Sequence, residues 1–374
     1  MSGARLRVAV LGAGTVGREV VRALLERPDE LRPAQGATLE LTAIAVRDVD
    51  RGARAGLPAA MLSDAPAHQV ADEEIDVIVE LLGGDEPAHT LIAAALSMGK
   101  HVVTANKHVI AHHGPELEAI SRRTGATLRF EAAVGGGIPV LGPLAGDLAA
   151  NRVFRVRGIV NGTTNFILSA MTDATEPLEY AAALAEAQRL GYAETDPSGD
   201  VEGLDAANKL AILARLAFDR WLDPATIPTR PDGADGPAGP GITTVSLADQ
   251  ADARRTGRII RLLATASLDD ADRIAAAVLP TALPLDSALG RTAGVRNRIE
   301  VDATPVGRIG FDGPGAGGAA TSSAVLGDLL AIARGEGSTW GPRRPAIAPA
   351  AGGVSRPKGE VFVASSGVRY PIDD

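Results

Sequence analysis

The sequence predicts an α/β protein, with an N-terminal doubly wound parallel sheet followed by a second domain of the α+β kind. Three features carry that reading. Apolar strands alternate with helices of ordinary length from Leu6 to Phe130, the rhythm of a parallel sheet covered on both faces. A glycine-rich turn joins the first strand to the first helix. After Glu131 the rhythm changes, where Gly135-Gly136-Gly137 interrupts it.

The first strand is the apolar run Leu6 to Leu11, ending in Gly12-Ala13-Gly14-Thr15-Val16-Gly17. Helical spacing follows through Val20, Val21, Leu24 and Leu25. Further strands are expected at Leu39 to Val46 and Ile75 to Leu81. A helix from about Pro87 to Met98 leads to a strand at His101 to Thr104, and another near Glu116 to Arg123 leads to Thr127 to Phe130. Beyond the three glycines, a helical stretch runs to Ala150 and a strand from Val153 to Val160. Helices follow around Thr164 to Met171, Leu178 to Leu190 and Val201 to Phe218. Pro231 to Gly241, rich in Pro, Gly and Asp, is expected as a surface loop. Two helix-and-strand units should occupy about Ala251 to Val301. The turn Gly313-Pro-Gly-Ala-Gly317 then opens a helix from Thr321 to Arg334. From Gly335 the chain is loop-like, with one hairpin expected around Val361 to Tyr370.

Composition narrows the function. No apolar run approaches the roughly 18 residues of a membrane helix, and Leu6 is reached without a basic and apolar leader. A cytoplasmic location, with no membrane partner, is the expectation. Cysteine is absent, which removes disulfides, thiolate nucleophiles and Cys-ligated zinc together. A net charge of -9 with both signs interspersed, and only 3% aromatic residues, argue against nucleic acid and for a small-molecule partner. Lys100, Lys107, Lys209 and Lys358 are the four lysines among 37 basic residues. Lysine can exchange its proton where arginine keeps it, so these few positions hint at proton chemistry. All six histidines lie between His68 and His113, so the later two-thirds of the chain uses no histidine as acid, base or ligand.

The first glycine turn has the steric logic of a dinucleotide site. Gly12 permits the sharp turn, Gly14 the approach of a pyrophosphate to the helix N-terminus with Thr15 and Val16, and Gly17 close packing of helix on strand. Set between strand and helix and followed by repeated βα units, GxGxxG marks a Rossmann-type nucleotide domain. The second strand ends in Val46-Arg47-Asp48. Asp48 could bind a ribose 2′-hydroxyl as in NAD, or Arg47 with Arg51 or Arg54 a 2′-phosphate as in NADP. The balance leans to NADP, with NAD still open, and a solvated charged loop is the bland alternative.

A polar loop, Gly191-Tyr-Ala-Glu194-Thr-Asp-Pro-Ser-Gly-Asp200, feeds the helix that carries Asp205 and Lys209. Four residues apart, these two share a face. Spacing alone suggests an exposed ion pair. The scarcity of lysine, the acidic loop and the lack of nearby histidine favour a proton donor for a forming alkoxide, with a carboxylate to orient the substrate. Thr104-Ala105-Asn106-Lys107 follows a strand at the carboxyl edge of the sheet, where ligands of open α/β folds bind. It places Lys107 near the expected nicotinamide, unless Lys107 is an ordinary surface lysine.

Together with Glu131-Ala-Ala-Val-Gly-Gly-Gly-Ile-Pro139, Gly158-Ile-Val-Asn-Gly-Thr-Thr-Asn-Phe-Ile-Leu168, the block from Gly191 to Lys209 and Gly313 to Val325, these motifs resemble the homoserine dehydrogenase family from about Arg5 to Arg334. The resemblance implies NAD(P)H-dependent reduction of L-aspartate 4-semialdehyde to L-homoserine, a step of threonine, methionine and isoleucine biosynthesis. It implies that Lys209 is the proton donor, that Glu194 and Asp205 bind the substrate, and that Lys107 sits where nicotinamide and substrate meet. It also implies cofactor contacts at Ala105 and Gly313. A monovalent cation, sodium in most members, would be held largely by carbonyls at Glu131, Val134, Gly136 and Ile138. The resemblance further implies a homodimer. Residues 1–132 and about 305–334 would form the nucleotide domain, 133–304 the catalytic and dimerisation domain, and 335–374 a Pro/Gly-rich tail. The 40 residues after Arg334 are too few for the regulatory βαββαβ domain of longer members, so little inhibition by threonine is expected. A carboxylate beside a lysine favours its ammonium form, which predicts reduction at neutral pH and better homoserine oxidation in alkali. Phosphorylating semialdehyde dehydrogenases need a cysteine nucleophile and are excluded. Other amino-acid or imine reductases, and a silent nucleotide sensor, are the remaining alternatives, and homoserine-dependent NADPH formation discriminates among them.

Overall fold

The structure is a computed structural model that describes residues 4–173, 175–231, 239–269, 272–341, 343–346 and 354–373. Most of the loop expected at Pro231 to Gly241 (232–238) and part of the expected tail (347–353) lie outside the described residues. The chain forms two compact units, Met1–Gly146 with Ala316–Arg343, and Asp147–Gly315 with Arg344–Asp374.

In the first unit the order is β1 (Arg5–Leu11), α1 (Thr15–Glu26), β2 (Thr38–Ala45), α2 (Val49–Arg54), β3 (Leu62–Ser63), α3 (Pro66–Ala71), β4 (Val77–Glu80), α4 (Ala88–Ser97), β5 (His101–Thr104), α5 (Lys107–Thr124), β6 (Leu128–Arg129) and α6 (Leu141–Ala145). The six strands form one sheet in the order β3-β2-β1-β4-β5-β6, and every pair is parallel. That order reverses between β1 and β4, the switch point where such sheets open a ligand crevice at their carboxyl ends. β4 is buried at all four positions, so it reads as a continuous apolar run ended by one acid, Glu80. α5 is longer than the expected Glu116 to Arg123. It begins at Lys107, capped by Asn106, runs through Pro115 and closes on a left-handed Gly125. Its histidines hide an apolar stripe of Val109, Ile110, Leu117 and Ile120, all buried. The helix expected to reach Ala150 shrinks to the single turn of α6.

The second unit contains β7 (Arg152–Ile159), α7 (Gly162–Ala170), α8 (Tyr180–Arg189), α9 (Ser198–Val201), α10 (Leu204–Phe218), α11 (Leu247–Arg255), β8 (Arg258–Leu268), β9 (Ile274–Pro284), β10 (Arg296–Thr304) and β11 (Gly307–Pro314). Its sheet runs β11-β10-β7-β8-β9, antiparallel throughout. The expected single helix from Val201 to Phe218 is broken, because Gly203 takes a left-handed φ of 89° between α9 and α10. The two helix-and-strand units expected over Ala251 to Val301 are instead one helix and three strands. β9 is alanine-rich and reads as helical by propensity, but eleven paired positions with β8 override that preference.

From Ala316 the chain re-enters the first unit as α12 (Gly318–Ala333). Val325, Leu329 and Ile332 of α12 join Val20, Val21 and Leu24 of α1 in one apolar cluster. The return therefore starts at Ala316 rather than near 305, because β11 pairs along β10 in the second sheet. Gly313, expected in a cofactor-covering turn, lies within β11 opposite Asn297. The hairpin expected around Val361 to Tyr370 is present in the described residues after Arg344. It consists of β12 (Val361–Val363) and β13 (Arg369–Pro371), and the segment bridges to β9 at Ser355 and Ile372. Tyr370, 1% exposed, donates its hydroxyl to Asp249 at 3.0 Å. No helix among the described residues is long and apolar enough to cross a membrane.

Candidate active site

Each unit carries one half of the expected chemistry. In the first unit, the turn from β1 into α1 is made by backbone constraint. Gly12 has φ 102°, and a Cβ there would stand 2.6 Å from the Leu81 carbonyl oxygen. A Cβ on Gly17 would stand 2.0 Å from the Gly12 carbonyl oxygen, so the helix approaches its own strand too closely for any side chain. Gly14 is exposed, and a Cβ there would meet nothing within 4 Å. That open side is the space a pyrophosphate needs, in front of the N–H groups of α1 at Thr15 and Val16.

A cavity of about 370 Å³ beside this turn is lined by Gly12, Gly14, Arg18, Arg47, Asp48 and Arg51, among others. Arg47 is exposed there. The Asp48 carboxylate accepts the Arg51 N–H at 2.8 Å and so caps α2. Arg54 donates to the Asp50 carbonyl at 3.2 Å and is absent from the lining. The sequence left Arg51 and Arg54 as equals, and the structure separates them.

At the carboxyl ends of β4 and β5 a buried relay shapes the turn that leads to Lys107. Glu80, fully buried, accepts the Leu82 N–H at 2.7 Å and the Thr104 hydroxyl at 2.6 Å. Thr104 in turn accepts the Asn106 N–H at 2.9 Å, and the Asn106 amide donates to the Gly84 carbonyl at 2.7 Å. Burial pushes the Glu80 carboxyl above its ordinary value of 4.5, against the hydrogen bonds that pull it down. Ala105 and Lys107 are half-buried at the end of this chain of contacts. Glu80 carried no sequence signal beyond being the one acid closing an apolar strand.

The predicted cation residues lie together in the segment after β6. Ala132 to Gly136 and Ile138 are buried. Gly135 and Gly136 take left-handed φ values of 74° and 60°. The Glu131 carboxylate is not directed to a cation. It accepts the N–H groups of Val140, Leu141 and Gly142 at 2.7 to 2.8 Å, as an anion at the start of α6. Burial, then the neighbouring Asp328, raises its proton affinity. Among the described residues, no hydrogen bond reaches the carbonyls of Val134, Gly136 or Ile138. Buried carbonyls without donors are costly, so the segment suits a cation held by backbone oxygens.

In the second unit, Asp205 and Lys209 are a buried pair, and the exposed-pair alternative falls away. The Lys209 Nζ donates to Asp205 Oδ2 and to the Val160 carbonyl, both at 2.7 Å, and both side chains are 11% exposed. Asn161, which sequence reasoning quoted but gave no role, ties the site together. Its Nδ2 donates to Asp200 at 2.6 Å and to Asp205 at 2.9 Å. Its Oδ1 accepts the Thr164 N–H at 2.8 Å and caps α7. Both ends of the amide are thereby used, which fixes its orientation. Burial raises the Asp200 carboxyl above the usual range, and the charge of Asp205 adds to that. Glu194 is exposed, and its carbonyl accepts the Gln188 amide at 3.0 Å, so the structure does not bring its carboxylate into the Lys209 network.

Comparison with known proteins agrees with both halves. The family model described as homoserine dehydrogenase matches residues 139–330, and that of its NAD binding domain matches residues 12–131. The chain is 45% identical over 336 residues to a homoserine dehydrogenase of Corynebacterium glutamicum, covering 89% of this chain and 73% of that one. It is 46% identical over 333 residues to a homoserine dehydrogenase of Mycobacterium tuberculosis, covering 87% and 72%. Among solved structures, a homoserine dehydrogenase from Thiobacillus denitrificans superposes with a TM-score of 0.84 at 36% identity, over 93% of this chain and 81% of that chain. A hyperthermophilic archaeal homoserine dehydrogenase in complex with NADPH gives 0.71 at 26% identity, over 87% and 97%. The chain belongs to the homoserine dehydrogenase family, a family of NAD(P)-dependent oxidoreductases.

Proposed function

We propose that Lys209 is the proton donor of this homoserine dehydrogenase, with Asp205 as its positioning partner. The supporting observation is an ammonium held by one carbonyl and one carboxylate at 2.7 Å each in a mostly buried setting. An ammonium has three N–H donors, and two have these partners. The third is assigned to the oxygen of the aldehyde, where it stabilises the forming alkoxide and then transfers its proton. NAD(P)H, when bound, supplies the hydride. Asp200 and Asp205, bridged by Asn161, are placed to receive the substrate's amino group. Glu194 is proposed to reach the substrate only if its loop moves. Lys107, at the first position of α5, is assigned to the boundary of nicotinamide and substrate.

The preferred cofactor is proposed to be NADP, with NAD also used. Arg47 and Arg51 line the cavity beside the nucleotide turn, and Asp48 has a capping role that competes with a ribose hydroxyl. A sodium ion is proposed on the carbonyls of Glu131, Val134, Gly136 and Ile138, the last three of which accept no hydrogen bond among the described residues. The protein is proposed to be a homodimer, which light scattering in solution checks. Absorbance at 340 nm with L-homoserine and NADP at alkaline pH tests the catalytic assignment. Turnover by the native enzyme that collapses in a folded Lys209→Ala variant is expected, and undiminished turnover in that variant overturns the assignment.

A further inference from the structure

We infer that the first unit carries a second, unrelated metal site, for a zinc-class divalent ion, formed by His89 of α4 with His113 and Glu116 of α5. One ring nitrogen of each histidine and a Glu116 carboxylate oxygen lie within 4.8 Å of one another. His89 Nε2 stands 3.0 Å from Glu116 Oε2. Donors on a tetrahedral zinc with bonds near 2.0–2.1 Å are separated by about 3.3 Å, so the His89–Glu116 pair already stands near ligand spacing and His113 closes the rest of the set. His113 and Glu116 are three residues apart on α5 and share a face, which α4 meets through His89.

The outer contacts have the form such sites require. A metal-binding imidazole is oriented by a carboxylate on its other nitrogen. Glu86 lies 3.3 Å from His89 Nδ1, and Asp85 lies 2.8 Å from His113 Nε2. The two rings stack with centroids 3.8 Å apart and 12° between planes, so one ring must turn out of the stack for both in-plane lone pairs to reach the same ion. Neutral imidazole is the ligating form. The carboxylates of Asp85, Glu86 and Glu116 surround the two rings, and a dication compensates their charge. His89 and His113 are 18% and 27% exposed, which leaves an entry path and room for a water as fourth ligand. Imidazole with carboxylate suits Zn²⁺, Ni²⁺ and Cu²⁺ over Mg²⁺ or Ca²⁺. The bound ion would clamp α4 to α5 within three turns of Lys107.

The test is calorimetric titration of ZnCl₂ into chelator-treated full-length protein at neutral pH, with melting temperatures measured in parallel. One ion per chain at micromolar affinity or tighter is expected, with a rise in melting temperature. The double variant His89→Gln/His113→Gln should weaken binding at least 50-fold and abolish the rise. A second variant, His108→Gln/His112→Gln, removes the neighbouring stacked pair on α5 and should change affinity less than about twofold. Circular dichroism of each metal-free variant establishes that it is folded. Absence of binding by the native protein, binding that survives His89→Gln/His113→Gln, or binding lost with His108 and His112 overturns the proposal.

Discussion

The two units build their candidate sites from different materials. In the first, the nucleotide turn is a backbone device, in which Gly12 and Gly17 permit contacts no side chain allows and Gly14 leaves the helix N-terminus open. In the second, the site is a side-chain network in which Asn161, Asp200, Asp205 and Lys209 hold one another. The first kind fails by steric exclusion when an atom is added. The second fails by loss of charge or orientation when an atom is removed. Substitutions of each kind should therefore separate binding from chemistry.

The largest effect is expected from Lys209→Ala. General acid catalysis contributes about 10² to 10⁴-fold, so kcat for aldehyde reduction should fall about 10³-fold. Steady-state assays in both directions check this. Asn161→Ala should cost about 30-fold in kcat/KM for homoserine, because two buried carboxylates lose their shared donor. Rescue by Asn161→Gln is not expected, since the amide must also cap α7.

In the first unit, Gly17→Ala should destabilise the fold by about 1–3 kcal/mol through overpacking, read from urea unfolding. Gly14→Ala has open space around it and should leave stability unchanged while weakening NADP binding. If both variants behave alike, the distinction between the two glycines is wrong. Arg47→Ala should raise the KM for NADP about tenfold and leave that for NAD unchanged. Equal efficiency with both cofactors, unaltered by the substitution, would remove the NADP preference.

The smallest effect concerns Glu80. Its carboxyl is raised above the ordinary 4.5 by burial, so the folded state binds this proton more tightly than the unfolded chain does. The resulting stability is full below 4.5 and is lost as pH rises through the raised value. Relative to Glu80→Gln, the native protein should gain stability as pH falls from 7 toward 4.5, measured by urea midpoints. A difference independent of pH would show that Glu80 is not the titrating group.

How much the sequence revealed follows the same division. The glycine turn was legible because its three glycines keep a fixed local spacing, although the contact that forbids a Cβ on Gly12 comes from Leu81. Strand His101 to Thr104 was legible for a similar reason, being a short apolar run ending at a polar turn. Lys209 and Asp205 could be paired from their i, i+4 spacing, but their burial could not. Asn161 meets Asp200 and Asp205 across 39 and 44 residues, a separation with no local periodicity. The alanine-rich β9 misled by propensity, since its partner β8 decides its conformation. The C-terminal hairpin was legible around Val361 to Tyr370, but its attachment was not, since Tyr370 finds Asp249 121 residues away. The carbonyls proposed as cation ligands at Glu131, Val134, Gly136 and Ile138 leave no trace in side-chain identity and were reached only through family resemblance.

Nucleotide binding and proton delivery are proposed to reside in separate units built on separate principles. The most direct test measures one variant, Lys209→Ala, twice, by NADPH fluorescence titration for the Kd and by aldehyde reduction at 340 nm for kcat. A Kd within about twofold of the native protein and a kcat about 10³-fold lower are expected. A kcat within tenfold of native, or a Kd that rises in step with the loss of activity, would contradict that separation.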